Sequence, residues 1–298
     1  MANQWNDIRD DEFRVIGQGR ALPEPSPVEL GRKRNVGWVA LVLAALLGVA
    51  IWLFWPKAPR VPEGVFDPVP QKPAPVVAKP KMFGIVADSL HPAFAEKLDT
   101  TINDVVLSLY IPQNTSAPVL TVGAPDQETR KAVMAFQAAD IRADNREILG
   151  SFVLKGKIIA RGNPKAGYCA IIDGQVTVGV AESTSLFEEA TEKDGYFFRQ
   201  FSLVKNGVLE ENAQIKNKTK RKALCDRGGQ IFVAVSETDE SMHDFAQALV
   251  DLGVDNAIYL VGSHSAFGWY RDEAGELTYF GADEHRRSYR NENYIVWF

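Results

Sequence analysis

Residues 36–55 read VGWVALVLAALLGVAIWLFW, twenty consecutive positions without a charge. At about 1.5 Å of rise per residue such a helix is about 30 Å long, enough to cross a hydrocarbon core. It directly follows Arg32, Lys33 and Arg34 and Asn35, and it carries Trp38 near one end and Trp52 and Trp55 at the other, as indoles favour both membrane interfaces. The run exceeds a secretory h-region of about 7–15 residues. Pro56-Lys57-Ala58-Pro59 follows it in place of a small-residue cleavage site. These features predict an uncleaved signal anchor, with the head in the cytoplasm and the body periplasmic or extracellular. Lys57 and Arg60 on the far side keep the charge bias modest. A reporter fused after Phe298 is expected to be active outside the cytoplasm; activity confined to the cytoplasm would reverse the topology.

The anchor divides the chain. The head, residues 1–35, mixes Arg9, Arg14 and Arg20 with Asp7, Asp10, Asp11 and Glu12 and ends in prolines and basic residues; nothing in it predicts a core, so it reads as disordered. Residues 56–81 hold eight of the sixteen prolines, a density that favours extended polyproline and makes a linker of this stretch. Residues 82–298 are enough for one domain with a full core, or two small ones. The chain carries a net charge of −5, and KNKTKRK at 216–222 is the basic run of the body, which argues against nucleic-acid binding. Cys169 and Cys225 can pair in an oxidising compartment or stay as two buried thiols, and neither sits in a CxxC pair. His91, His243, His264 and His285 share no ligand spacing, so neither a metal nor another cofactor is expected.

Within the body, residues 82–146 read as an α/β N-terminal subdomain. A short strand at 82–87 precedes an amphipathic helix at 91–110, with Phe94, Leu98, Ile102, Val105, Val106 and Leu109 at three- and four-residue steps. A strand at 117–122 and a helix at 126–137, with Ala132, Val133 and Phe136 on one face, complete it. From 147 to 298 strands dominate. Runs at 152–154, 157–160, 167–172 and 176–180 are separated by Lys155-Gly156, Asn163-Pro164 and Asp173-Gly174, turn pairs that suit hairpins. A helix at 185–193 precedes an aromatic stretch at 195–204 and an Asn206-Gly207 turn. The strand IFVAV at 231–235, a helix at 238–252 stopped by Gly253, and the strand at 257–261 form a strand–helix–strand crossover, whose length predicts parallel pairing. Residues 267–272 and 276–280 read as a hairpin around Ala274-Gly275, and 294–298 as an apolar cap. The expected fold class is α+β, with a mixed sheet. Ligands of parallel sheets bind past the carboxyl ends of the strands, where Gly262-Ser263-His264-Ser265 lies.

Four motifs occur in order. They are GNPKAGYCAIIDGQVTVG at 162–179, RQFSLVKNG at 199–207, Arg221-Lys222-Ala223-Leu224-Cys225, and the crossover leading into Leu260-Val261-Gly262-Ser263-His264-Ser265. In this order and spacing, residues 147–280 resemble the phosphodiester glycosidase family. The resemblance implies hydrolysis of a sugar 1-phosphodiester on an α+β fold. It also locates a departure: Val261 stands where the family has an Asp, and Ser263 and His264 replace two glycines. A glycan phosphodiester needs charge neutralisation and an acid or base within reach, and valine supplies neither.

The candidate catalytic groups are Arg221, which matches the family's arginine and can grip phosphate oxygens bidentately, with His264 and Ser265 on the loop after the crossover strand. Arg199, Gln200, Ser263, Tyr270 and Arg271 are the candidate substrate-binding groups. Asp140, Arg142, Asp144 and Asn145 read as a solvated loop that could also hold a cation or a sugar. The expected function is a membrane-anchored, extracytoplasmic hydrolase of sugar phosphodiesters or related envelope glycans, with a carbohydrate or sugar-phosphate ligand and a membrane contact through 36–55. The alternatives are a non-catalytic glycan- or protein-binding module on the same fold, and a structural component of an envelope complex.

Overall fold

Asn103 and Asp104 decide how the first long stretch of the body folds. Both take positive φ, 48° and 64°, the backbone of a two-residue hairpin turn. They join β1 (Phe94–Ile102) to β2 (Val105–Gln113), paired antiparallel along their whole length. The helix expected at 91–110 is therefore two strands. The spacing of apolar residues there mimics a helical stripe, yet Leu107, Leu109 and Ile111 face one side of a sheet and Ser108 and Tyr110 the other. The computed structural model describes residues 83–86, 90–123, 126–162, 165–210, 217–281 and 290–298. The expected anchor at 36–55, the head and the linker lie outside these residues. No helix among the described residues is long and apolar enough to cross a membrane.

After β2 come β3 (Val119–Val122), the one-turn α1 (Gln127–Arg130) and β4 (Met134–Gln137). The helix expected over 126–137 thus stops at Arg130. Every residue of β4 is buried, because the strand is flanked on both edges and covered on both faces, and such strands lose the alternation that would reveal them. Next are β5 (Phe152–Leu154), β6 (Lys157–Ala160), β7 (Gly167–Ile172), β8 (Gln175–Val180), α2 (Leu186–Glu192), β9 (Tyr196–Gln200), β10 (Ser202–Lys205) and β11 (Val208–Leu209). The chain continues through β12 (Lys222–Arg227), β13 (Gln230–Ser236), α3 (Met242–Asp251), β14 (Asn256–Leu260), β15 (Gly268–Arg271), β16 (Leu277–Phe280) and β17 (Asn293–Trp297). The strand expected at 82–87 is absent over 83–86. That segment is pinned instead by glutamine side chains, with Phe83 N–H donating to Gln230 and Val86 N–H to Gln113.

Three sheets result: a seven-stranded one in the order β1-β2-β13-β12-β14-β10-β11, and two five-stranded ones, β16-β15-β4-β17-β3 and β6-β5-β9-β7-β8. Among the described residues every strand pairing is antiparallel. The fold is mostly β, with few helices, and this corrects the mixed sheet expected from the crossover. The crossover itself exists. Its strands β13 and β14 run the same way but do not touch, because β12 lies between them, antiparallel to each. The turn at Gly228-Gly229, both with positive φ, places β12 beside β13, and β2 holds the other edge. No edge of β13 is left for β14. Strands β2, β3 and β4 hydrogen-bond to β13, β17 and β15, so residues 94–137 share their sheets with the C-terminal part of the chain.

One face of the seven-stranded sheet meets the other two sheets in the main core, where Tyr110, Leu224, Val233 and Ile258 pack with Phe136, Ile295, Trp297, Phe152 and Phe198. The opposite face is covered by α3 through Met242, Phe245, Ala246 and Leu249. Ser241 caps that helix by accepting from the Asp244 N–H at 3.0 Å. A helix this short is marginal alone; burial of its stripe, about 1.5–3 kcal/mol per large apolar side chain, holds it to the sheet. Cys169 and Cys225 are both buried free thiols, so the disulfide alternative is not realised. Burial pushes both thiols well above their ordinary pKa.

Candidate active site

The start of β12 and the ends of β13 and β14 lie at one edge of the seven-stranded sheet, since β12 runs against the other two. The loop after β14 folds back over this edge. The Val261 N–H donates to Gln137 O, the Gly262 N–H to the Tyr259 hydroxyl, and the Ser263 N–H to Lys220 O. A side chain at 262 would lie 2.4 Å from the Tyr259 hydroxyl and 2.6 Å from Lys220 O, so only glycine permits this approach. Ser263 then takes φ of +76°, an uncommon backbone for a residue with a Cβ. Its hydroxyl lies 3.1 Å from that of Ser265.

Arg221 enters this edge from below and is 2 % exposed. Its Nε donates to Glu240 O at 2.9 Å, and its Nη2 donates to the backbone and side-chain oxygens of Asn217. The guanidinium carbon lies 5.9 Å from the Tyr259 ring centre. His264 reaches the adjacent residue, with Nε2 2.6 Å from Asp239 Oδ1, on an exposed pair. Arg221 and His264 therefore attach to neighbouring positions of one segment, 239–240, the first buried and the second at the surface. Burial holds the Tyr259 phenol above its ordinary pKa, with Arg221 opposing and the charge of Asp140 assisting; the hydroxyl keeps its proton.

Asp140 brings in the second part of the site. Its Oδ2 accepts from Lys165 Nζ at 2.7 Å, and the same ammonium donates to Gln200 Oε1 at 2.7 Å. It also sits 4.3 Å above the Phe201 ring centre. The Lys165 and Asp140 side chains are 12 % and 27 % exposed, close-held yet open to a solute. Gln200 is fully buried, and its Nε2 donates to Ala138 O. Phe201 O accepts from the Tyr259 N–H, which ties this group to β14. Arg199 points the other way along β9. Its Nη1 donates to Lys165 O and Ala181 O at 2.6 and 2.7 Å, so it fixes the backbone that carries Lys165.

Tyr270 and Arg271 lie apart from this group. Tyr270 packs on Tyr110, with ring centres 4.9 Å apart, and Arg271 donates to Gly275 O within its own hairpin and to Arg130 O. Beside Tyr110, the row Asp99, Ser108, Val235, Lys222 and Leu260 crosses five strands of the inner face. Ser108, with one proton, faces both Asp99 Oδ1 at 2.6 Å and Glu237 Oε1 at 2.5 Å. Burial opposes ionisation of Glu237, but the Ser108 hydroxyl and Lys220 outweigh it and its carboxyl sits below the ordinary range. Lys222 is buried, donates to Ala266 O at 2.8 Å and lies 4.7 Å from the Phe280 ring centre.

Burial, with repulsion from Lys220, lowers Lys222 to about 7. Below that pH both folded and unfolded chains hold the proton, and the cost of burying charge is fully present. Between about 7 and the free-lysine value of 10.5 the unfolded chain binds a proton that the fold has released, so stability rises with pH by up to about 1 kcal/mol per unit. Lys222→Met removes this term. Its stability relative to the native chain is expected to fall by about 2 kcal/mol between pH 7 and about pH 9 in urea unfolding; parallel pH curves would contradict the assignment.

Sequence reasoning missed Lys165, Asp140 as an ion-pair partner, Tyr259 and Lys222. Lys165 and Asp140 lie 25 residues apart on segments with no shared motif. Among the described residues no group of three His, Cys, Asp or Glu is placed to hold a metal ion.

A family model described as phosphodiester glycosidase matches residues 130–296, more than half of the chain. The chain belongs to the phosphodiester glycosidase family. The match takes in every candidate residue named above at the β14 end. The fold resembles the catalytic domain of zebrafish N-acetylglucosamine-1-phosphodiester alpha-N-acetylglucosaminidase, auto-inhibited by its pro-peptide. That likeness has a TM-score of 0.51 at 15% identity and covers 71% of this chain and 85% of that one. A hypothetical protein from Synechocystis is also similar, with a TM-score of 0.45, 14% identity, and 69% and 62% of the two chains covered. No curated protein matches by sequence. Family membership and the antiparallel β architecture thus agree, while the chemistry rests on the side chains themselves.

Proposed function

We propose that the chain is a hydrolase of sugar 1-phosphodiesters or related anionic envelope glycans, acting at the β14 end. The observation that carries this reading is the Lys165–Asp140 pair, an ammonium and a carboxylate 2.7 Å apart and partly open to solvent, in a member of the phosphodiester glycosidase family. The zebrafish relative is named for action on an N-acetylglucosamine 1-phosphodiester, which supports the same bond type here. In the proposed reaction a water oxygen bonds to the anomeric carbon and the bond from that carbon to the phosphate oxygen breaks. The electron pair leaves with the phosphate, and the water proton passes to the Asp140 carboxylate. A phosphate monoester departs without protonation but with negative charge, and Lys165 is placed to neutralise it. Gln200 orients Lys165, and the protonated Tyr259 hydroxyl is available as a donor. Arg221 supports the site by holding 217 and 240 in place. His264 and Ser265 lie on the exposed rim with Ser263, where they can meet the sugar.

A second reading, glycan binding without hydrolysis, is favoured by Val261, which puts an apolar side chain where the family's Asp is expected. Turnover separates the two. Purified full-length protein incubated with a panel of sugar 1-phosphodiesters is expected to release free reducing sugar. Binding without release across the panel would select the second reading. The anchor at 36–55 remains part of the proposal, holding this body outside the cytoplasm on its proline-rich tether.

A further inference from the structure

A cavity of about 680 Å³ opens between the loop at 142–149, the end of β6 and the residues just before β17. Three arginines line it, Arg142, Arg161 and Arg290, against one acid, Glu147. Arg142 is spent on a bidentate pair with Asp144 at 2.9 and 2.7 Å. Arg161 and Arg290 are exposed, and the Arg161 guanidinium carbon lies 5.3 Å from the Phe187 ring centre. The walls are built rather than incidental. Ile141 bridges to Ile148, Asn291 Nδ2 donates to Arg146 O at 3.1 Å, and a side chain at Gly162 would lie 2.3 Å from Gly150 N, so the end of β6 is pressed against this corner.

The lining chemistry narrows the occupant. The volume is far larger than one phosphate needs and lies in the range of pockets that take a small organic ligand. Among the described residues no aromatic side chain lines it, and its apolar surface is aliphatic, from Ile148, Ile159 and Ala160. That surface suits the C–H face of a sugar ring and not a stacked base. Asn145 Oδ1 accepts from the Glu147 N–H, which leaves its amide nitrogen as a donor for hydroxyls. Leu149 lines the cavity, and its N–H donates to Asp140 O at 2.7 Å. The wall of the cavity is therefore hydrogen-bonded to the segment that carries the Asp140 carboxylate. Arg142 follows Asp140 by two residues, about 7 Å of extended chain, a distance on the scale of one or two sugar units.

We propose that this cavity is a second carbohydrate subsite that reads the next anionic group of the same ligand, so that the substrate is a polyanionic glycan with repeated phosphates and not a single capped sugar. The inference rests on the reading of Lys165 and Asp140 above for its direction toward the reacting bond. The test measures binding of a short phosphorylated dextran to the full-length protein, with unmodified dextran and inorganic phosphate as comparisons. Phosphorylated dextran is expected to bind at least about tenfold tighter than unmodified dextran, as two charge-assisted arginine contacts allow. Arg161→Gln with Arg290→Gln is expected to lose most of that preference, while Lys155→Gln with Lys157→Gln, on the opposite turn of the same hairpin, keeps it. Equal binding of the two dextrans, equal loss in both double variants, or complete competition by inorganic phosphate at matched phosphate concentration would overturn the proposal. Binding is read without turnover. Arginine-dependent binding in a protein that releases no sugar would support the subsite and remove the hydrolase reading. Turnover of a short diester with no preference between the dextrans would remove the subsite alone.

Discussion

Lys165→Gln is expected to lower kcat/KM on a sugar 1-phosphodiester about 100- to 1,000-fold, the usual effect of losing one positioned charge at a developing anion. Glutamine keeps a hydrogen-bond donor toward Asp140 and Gln200, so the fold loses little but the charge is gone. The side chain is not a surface cation free to swing. Its ammonium is held by Asp140 Oδ2 and Gln200 Oε1, both at 2.7 Å, and by the Phe201 ring, while Arg199 grips its carbonyl. Such a group is already oriented before substrate arrives, and in a partly buried site its field is screened less than at an exposed surface. The loss should fall on kcat more than on KM if the charge meets the departing phosphate. A drop of less than about tenfold would assign the neutralising role elsewhere.

Arg221→Ala is expected to act on stability. The guanidinium donates to Glu240 O and Asn217 O in a setting 2 % exposed. Its removal takes the charged donor from Asn217 O, leaves Glu240 O with the Thr219 N–H alone, and opens a void beside Tyr259. A cost of about 2–3 kcal/mol follows from losing charged hydrogen bonds to partly buried acceptors, read as a lower urea midpoint. Arg221→Lys should recover only part, because one ammonium cannot span the two carbonyls that the planar fork reaches. An Arg221→Ala protein with an unchanged midpoint but abolished turnover would return the residue to direct phosphate binding, the role its motif implied.

Much of the β-rich half was legible because its turns carry their own chemistry. Asp173-Gly174, Asn206-Gly207 and Lys155-Gly156 all adopt positive φ at both positions, and each closes a hairpin near its expected place. The first half was not legible, for two physical reasons. Asn103-Asp104 is a weaker turn signal than Asn-Gly, and β2 is buried on both faces, so its apolar residues fall at helical spacings as readily as at alternating ones. The order of strands around β12 was hidden as well, since length alone predicts that a crossover is parallel, not that a third strand comes between. At the site, the loop 262–265 and Gln200 were read from their motifs. Lys165 was in the first motif but carried no signal of its partner, because Asp140 follows β4 in the second sheet and Lys165 precedes β7 in the third, and the two meet only when those sheets pack together.

Under the proposed reaction the Lys165–Asp140 pair serves cleavage of the bond between the anomeric carbon and the phosphate oxygen. Turnover of a sugar 1-phosphodiester by the full-length protein in heavy-oxygen water tests it most directly, with the products analysed by mass. The label is expected on the anomeric hydroxyl of the released sugar and not in the phosphate, with the reaction lost in Lys165→Gln. Label in the phosphate, or turnover indifferent to Lys165, would contradict the proposed reaction.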